Sequence, residues 1–287
     1  MERTADIHLR TVITEVAARL ADLAPEVLRQ FRSPAGITSK GDGSVVTDTD
    51  LWVERQLTPL CETLLPGSFV VGEETIHHHL DQYERILEHE YIWSIDGIDG
   101  THNFSLGLPM FAPSVGLLRK TPDGHVCAGG AVVFPALREL YYLEGSSVIL
   151  RDLASGERHT LTPPTAEVSA RSLITTPDNL AGRIVSTPGN PSPRILGCAV
   201  ADILYTGRGI FAGTVSDYAL WDFAGALPLA QALGADLFNA NTGEVKRAFT
   251  AADFERGSLK RQWCLEGSWL LTRPAHLEAV QAMFRAG

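Results

Sequence analysis

The run Tyr91-Ile92-Trp93-Ser94-Ile95 reads as a mostly apolar, buried strand, and it ends in Asp96-Gly97-Ile98-Asp99-Gly100-Thr101. Two aspartates bracket a tight turn. They stand three positions apart and the glycines permit unusual backbone dihedrals, so both carboxylates and an intervening carbonyl can converge on one point instead of alternating across a sheet. Converging oxygens are what hard divalent cations require. A single Asp-Gly pair is more often an ordinary turn with solvated carboxylates. Two such pairs closing a buried strand weaken that explanation.

A second acidic pair, Glu73-Glu74, follows the strand-like Phe69-Val70-Val71-Gly72. Adjacent carboxylates repel. On a surface water dissipates the repulsion, whereas in a cleft a metal ion keeps both ionised, and the dipeptide alone is compatible with either. Asp222, in Trp221-Asp222-Phe223-Ala224-Gly225-Ala226, stands at an expected helix start, where it either caps the helix or serves the same chemistry. The small residues after Phe223 permit close packing of that helix on a neighbour. Residues 40–50, Lys-Gly-Asp-Gly-Ser-Val-Val-Thr-Asp-Thr-Asp, read as a turn leading into a capped helix with three acids.

With 287 residues the chain is long enough for one large domain or two closely packed lobes. A polar stretch at 151–169 sets a soft boundary near residue 150, giving an N-terminal lobe, 1–150, and a C-terminal lobe, 151–287, that share a crevice. Hydrophobic residues make up 45% and charged residues 20%, which excludes disordered and fibrous classes. Subtracting 34 acidic from 24 basic side chains leaves −10, a balance that disfavours nucleic acid and anionic membranes as partners. An anionic substrate would then need bound cations to attract it. Cys61, Cys127, Cys198 and Cys264 form no CxxC pair and read as buried thiols in a reducing compartment. The charged N-terminus and the lack of any ~20-residue apolar run point to a cytoplasmic protein.

Helices are expected at 5–31, with Pro25 bending or dividing the segment, at 48–65, 197–205, 222–233 and 274–284. Strands are expected at 69–72, 91–96, 113–118, 126–134, 139–143, 172–175 and 209–212. Three features attract function and are better explained otherwise. His77-His78-His79 reads as a mobile polar loop, Asn103-Phe104-Ser105 as a glycosylation pattern without meaning inside a cell, and Gly207, Gly209 and Gly213 lack the spacing of a nucleotide loop.

Together, Asp50, Gly72-Glu73-Glu74, Asp96-Gly97-Ile98-Asp99-Gly100-Thr101 and Trp221-Asp222-Phe223-Ala224-Gly225 resemble, in order and spacing, the motifs of the inositol monophosphatase family of Mg-dependent, lithium-sensitive phosphatases. The resemblance covers residues 36–236. One departure is Gly97, where the family usually has proline, which predicts a looser turn. The resemblance implies a layered α-β-α-β-α sandwich, an α/β (α+β) fold, and commonly a homodimer. It also implies two or three Mg2+ ions, one held by Glu73, Asp96 and the Ile98 carbonyl and a second by Asp96, Asp99 and Asp222. Catalysis falls to Glu73, Thr101 and Asp96, through a metal-activated water attacking a small phosphate monoester, with phosphate bound by the Gly100 and Thr101 amides. Asp99, Gly197, Cys198, Ala199 and Asp217 would contact the leaving group, and Glu74 and Asp50 would support.

The segments around Asn103-Phe104 and Gly107 to Ala112 lean toward an inositol monophosphate or a related sugar or polyol phosphate. Fructose 1,6-bisphosphate, a 3'(2'),5'-bisphosphate nucleotide, or a non-catalytic protein-binding role are the alternatives. By the same resemblance Val215 occupies the place of a glutamate that contacts inositol in animal members, which argues for a broad or non-inositol preference.

Overall fold

The computed structural model describes residues 2–39, 45–76, 83–165, 167–169, 171–184, 191–255, 261 and 263–284. Helix α1 (Glu2–Phe31) runs unbroken through Pro25, where the sequence reading expects a bend or break. Val12, Val16, Leu20, Leu23 and Val27 recur at helical spacing and are all buried, so one packed face carries the helix past the hydrogen bond that proline omits. A short hairpin of β1 (Thr38–Ser39) and β2 (Val45–Val46) leads to α2 (Asp48–Leu64). The remainder of the expected turn, 40–44, and the three histidines at 77–79 lie outside the described residues.

The chain continues through β3 (Phe69–Gly72), α3 (Tyr83–Ile86), β4 (Tyr91–Asp99), α4 (Thr101–Leu106), β5 (Ala112–Thr121), β6 (Gly124–Phe134), β7 (Glu139–Glu144), β8 (Ser147–Asp152) and β9 (Arg158–Leu161). These strands lie side by side in that order in an eight-stranded sheet whose remaining member, β15 (Ala248–Phe249), pairs with β6 from far along the chain. A second, six-stranded sheet is ordered β11 (Ser192–Arg194), β10 (Leu173–Thr175), β12 (Phe211–Ser216), β16 (Trp269–Thr272), β13 (Asp236–Asn239) and β14 (Val245–Lys246). Helices α5 (Ala199–Gly207), α6 (Leu220–Ala224), α7 (Leu227–Ala232) and α8 (Leu277–Gln281) complete the fold. The single helix expected at 222–233 is two, because Pro228 occupies the first turn of α7 and starts a new helix after Gly225.

Alternation along the strands builds the layers. On β4, Trp93 and Ile95 face α1 and α2, while Ile92 faces the opposite way. That opposite face packs on α5, α6 and α7, which in turn cover Leu237 and Leu271 of the second sheet. Ile174, Val215 and Leu270 on the far side of the second sheet pack against Val280 and Met283 in and beyond α8. The order is therefore helix, sheet, helix, sheet, helix, a layered α+β architecture. Among the described residues no helix is long and apolar enough to cross a membrane. All four cysteines are free; Cys61 and Cys198 are buried, whereas Cys127 and Cys264 are only half-buried, against the expectation that all four lie inside.

Candidate active site

The strand β4 does not stop at Asp96. Asp96 pairs with Ser114 and Asp99 with Ala112, three steps on β4 against two on β5, so the extra residue makes a β-bulge where the sequence reading expects a tight turn. The bulge keeps both aspartates at the sheet end. Asp96 is 1% exposed and its Oδ1 has no hydrogen-bond partner among the described residues. Burial first, then the charges of Glu73, Asp99, Asp222 and Asp50, hold its carboxyl well above the usual range.

The parallel pairing of β3 with β4 sets Gly72 level with Ile95, and the Glu73 amide donates to the Ile95 carbonyl at 3.1 Å. Glu73 is thereby delivered beside Asp96. Asp222 arrives from the middle layer in the first turn of α6, and that helix lies directly on the first sheet. A Cβ on Gly116 would overlap the main-chain carbonyl of Ala224, and one on Gly130 would overlap the Gly225 carbonyl. The capping reading of Asp222 is seen directly: its Oδ2 accepts from the Ala219 amide at 2.8 Å, while burial and then Asp99 push its pKa well up. Asp99 Oδ2 accepts from the Val200 amide at 2.6 Å and from the Cys198 thiol at 3.1 Å, which partly offset the burial that raises its pKa to about 6.

Around these acids, Asp50 sits in the first turn of α2. Its Oδ2 accepts from the Thr47 amide and hydroxyl in a capping box, and its Oδ1 faces the Thr101 hydroxyl at 2.9 Å. The same hydroxyl lies 2.8 Å from the Ile98 carbonyl. Gly100, with φ +81, turns the chain into α4, whose N-terminus no side chain caps. Among the expected leaving-group residues, Gly197 has φ +66 and Ala199 opens α5, whereas Cys198 spends its thiol on Asp99. Asn103 clamps this segment to α4 through the carbonyls of Met110 and Leu196 at 2.8 and 2.7 Å. Asp217 accepts from Ser268, which accepts from Arg183. Val215 is buried under α8 and so is not at the rim.

Sequence reasoning misses Glu54. It is 1% exposed on the inner face of α2 and accepts from the Glu74 amide at 2.8 Å and the Thr75 hydroxyl at 2.9 Å, tying the Glu73-Glu74 loop to the helix. Its position, one helical turn after Asp50, is the signal that could have found it.

The oxygens around Asp96 suit a hard cation: carboxyl groups and one main-chain carbonyl, with a buried carboxyl oxygen that lacks a hydrogen-bond partner. Among the described residues no group of three or more acidic, histidine or cysteine side chains is placed so that it could hold a metal ion as it stands. Asp99 and Asp222 each turn one oxygen to a backbone amide, leaving the other for a ligand.

The model of the inositol monophosphatase family matches residues 9–269. The chain is 34% identical over 127 residues to the phosphatase IMPL1, chloroplastic, of Arabidopsis thaliana, a match taking in 44% of this chain and 31% of that protein, so it spans under a third of that relative. It is 30% identical over 211 residues to an inositol-1-monophosphatase of Rhizobium meliloti, covering 69% of this chain and 73% of the other. Among solved structures an IMPase of Thermotoga maritima superposes with a TM-score of 0.71 at 21% identity, over 93% of this chain and 94% of that one, a likeness of fold.

Proposed function

Because the chain belongs to the inositol monophosphatase family, we propose that it hydrolyses a small phosphate monoester at the Asp96 cluster, most readily a sugar or polyol phosphate. The observation that carries the reading is the buried, unpartnered oxygen of Asp96 among four other carboxylates. Glu73, Asp96 and the Ile98 carbonyl would hold one divalent cation such as Mg2+, and Asp96, Asp99 and Asp222 another. Such cations, when bound, supply charge neutralisation for the phosphate and lower the pKa of water.

The chain's own groups do the rest. Thr101 donates its proton to Asp50 and so turns lone pairs outward, able with Glu73 to orient and deprotonate the attacking water. Asp50, raised to about 6 by burial, is poised to take that proton near neutrality. The amides of Gly100 and Thr101 bind phosphate oxygens, and no side chain need be phosphorylated. Asp99, Gly197 to Ala199 and Asp217 face the leaving group, Asp99 being held in place by Val200. The N-terminal lobe, 1–150, and the C-terminal lobe, 151–287, each supply part of the site. Lithium sensitivity, a homodimer and a cytoplasmic location belong to the same reading, the last supported by four free thiols.

Phosphate release across a panel of monoesters, with and without magnesium, tests the proposal. Asp96→Asn should lower turnover by more than about a hundredfold while a circular-dichroism melt stays unchanged or rises, since repulsion falls. Turnover retained within about tenfold would sink the role assigned to Asp96.

A further inference from the structure

We infer that the chain carries a second anion site, remote from the acidic cluster, which takes a dianionic phosphate group, free or on a small molecule, between Arg171, Arg273 and His276. A cavity of about 250 Å3 opens where β10 and β12 begin and β16 ends, and the polar side chains lining it are Glu167, Ser169, Arg171, Ser172, Arg273 and His276. The hydrolytic site lies toward the opposite end of β12: Asp217 directly follows that strand, whereas Ile210, on the cavity wall, directly precedes it. The length of β12 holds the two apart by about 20 Å.

His276 is the most buried of the six, 4% exposed, and its Nδ1 has no hydrogen-bond partner among the described residues. A polar atom buried in that way calls for a ligand. Its Nε2 stands 3.9 Å from the Glu167 carboxylate, beyond hydrogen-bond reach. Burial and then the neighbouring Arg273 charge hold the imidazole pKa down, against an upward pull from Glu167. An anion seated between Arg273 and His276 relieves that conflict. Arg273 donates to the Pro164 carbonyl, which fixes its guanidinium at the cavity wall. Ser169 Oγ accepts from the Arg171 amide at 3.2 Å and Ser172 Oγ from the Ser169 amide at 3.0 Å, so the turn into β10 uses their oxygens and keeps their hydroxyl protons for a ligand. Two guanidiniums, two hydroxyls and an imidazole bring more donors than the roughly four lone-pair sites of a carboxylate can accept. The oxygens of a phosphate group can receive them from several directions at once. Glu167, the one acid lining the cavity among the described residues, has a side chain 90% exposed that can turn away from an entering anion.

The test titrates inorganic phosphate, and separately glycerol 2-phosphate, into the full chain in chelator, read by calorimetry. Without cations the acidic cluster repels both probes. Saturable binding of at least one is expected, weakened about tenfold or more by Arg171→Gln and by His276→Phe, which keeps a ring of similar bulk but no donor. Arg171 is exposed on a turn, so its substitution reports on binding even where His276→Phe does not fold. Tighter binding of glycerol 2-phosphate would identify the occupant as a small phosphorylated molecule, and tighter binding of inorganic phosphate as the free ion. Asp96→Asn should leave either affinity within about twofold, because the two sites share no group. No saturable binding of either probe up to about 10 mM, or an affinity that Asp96→Asn changes and Arg171→Gln does not, would overturn the second site.

Discussion

Several carboxylates are held protonated longer in the folded protein than in water. Burial raises Glu54 to about 7, against hydrogen bonds from Glu74 and Thr75 that pull it down. It raises Asp202, whose Oδ1 accepts from Thr175 at 2.8 Å, to about 8. A raised acid binds protons more tightly folded than unfolded, so its contribution to stability is full below the ordinary carboxylate range and is lost as pH rises through the folded value. The metal-free protein should therefore melt at progressively lower temperature from pH 5 to pH 8, and calorimetry in chelator would show it; a rising or flat midpoint would contradict the burial of these groups. Asp96, Asp99, Asp222 and Glu73 could be picked out beforehand because each closes a recognisable motif. Glu54 was passed over, since its partners lie 20 and 21 positions away and its spacing of one helical turn from Asp50 gains meaning only once the helix is seated.

Seating decides the elements as well. The short helix α6 carries Asp222 only because Gly116 on β5 and Gly130 on β6 leave room for its backbone. Gly130→Ala should destabilise the fold by about 1–3 kcal/mol, as overpacking against main chain does, and displace Asp222. A thermal melt and a magnesium titration of turnover would read both, and unchanged values would mean that α6 is free to shift. The small residues after Phe223 foretell this close packing, and the long apolar strands β4 and β6 were likewise readable. Strands β13, β14 and β16 escaped notice because they are two to four residues long and owe their existence to pairing rather than to periodicity.

At the scale of the molecule, large apolar side chains are exposed around α4: Leu106 at 68% and Leu108 at 52%, next to Ile195 at 53% on the segment that Asn103 clamps there. Such a patch suits a second copy of the chain. Light scattering should find a dimer for the unsubstituted protein and a monomer for Leu106→Glu with Ile195→Glu; equal masses would place any interface elsewhere. The layered order itself was legible through the family motifs and not through hydropathy, which yielded only a mixture of helix and strand. One pairing reaches further than the site. Because Ala248 lies against Val126, the first sheet acquires its last strand from a segment made more than a hundred residues later. A ribosome releasing this chain would present β6 with an unfilled edge of backbone donors and acceptors until synthesis is almost complete. The acids of the cluster, gathered from positions 50 to 222, would meet one another equally late, so their mutual repulsion falls on the final assembly steps rather than on the first.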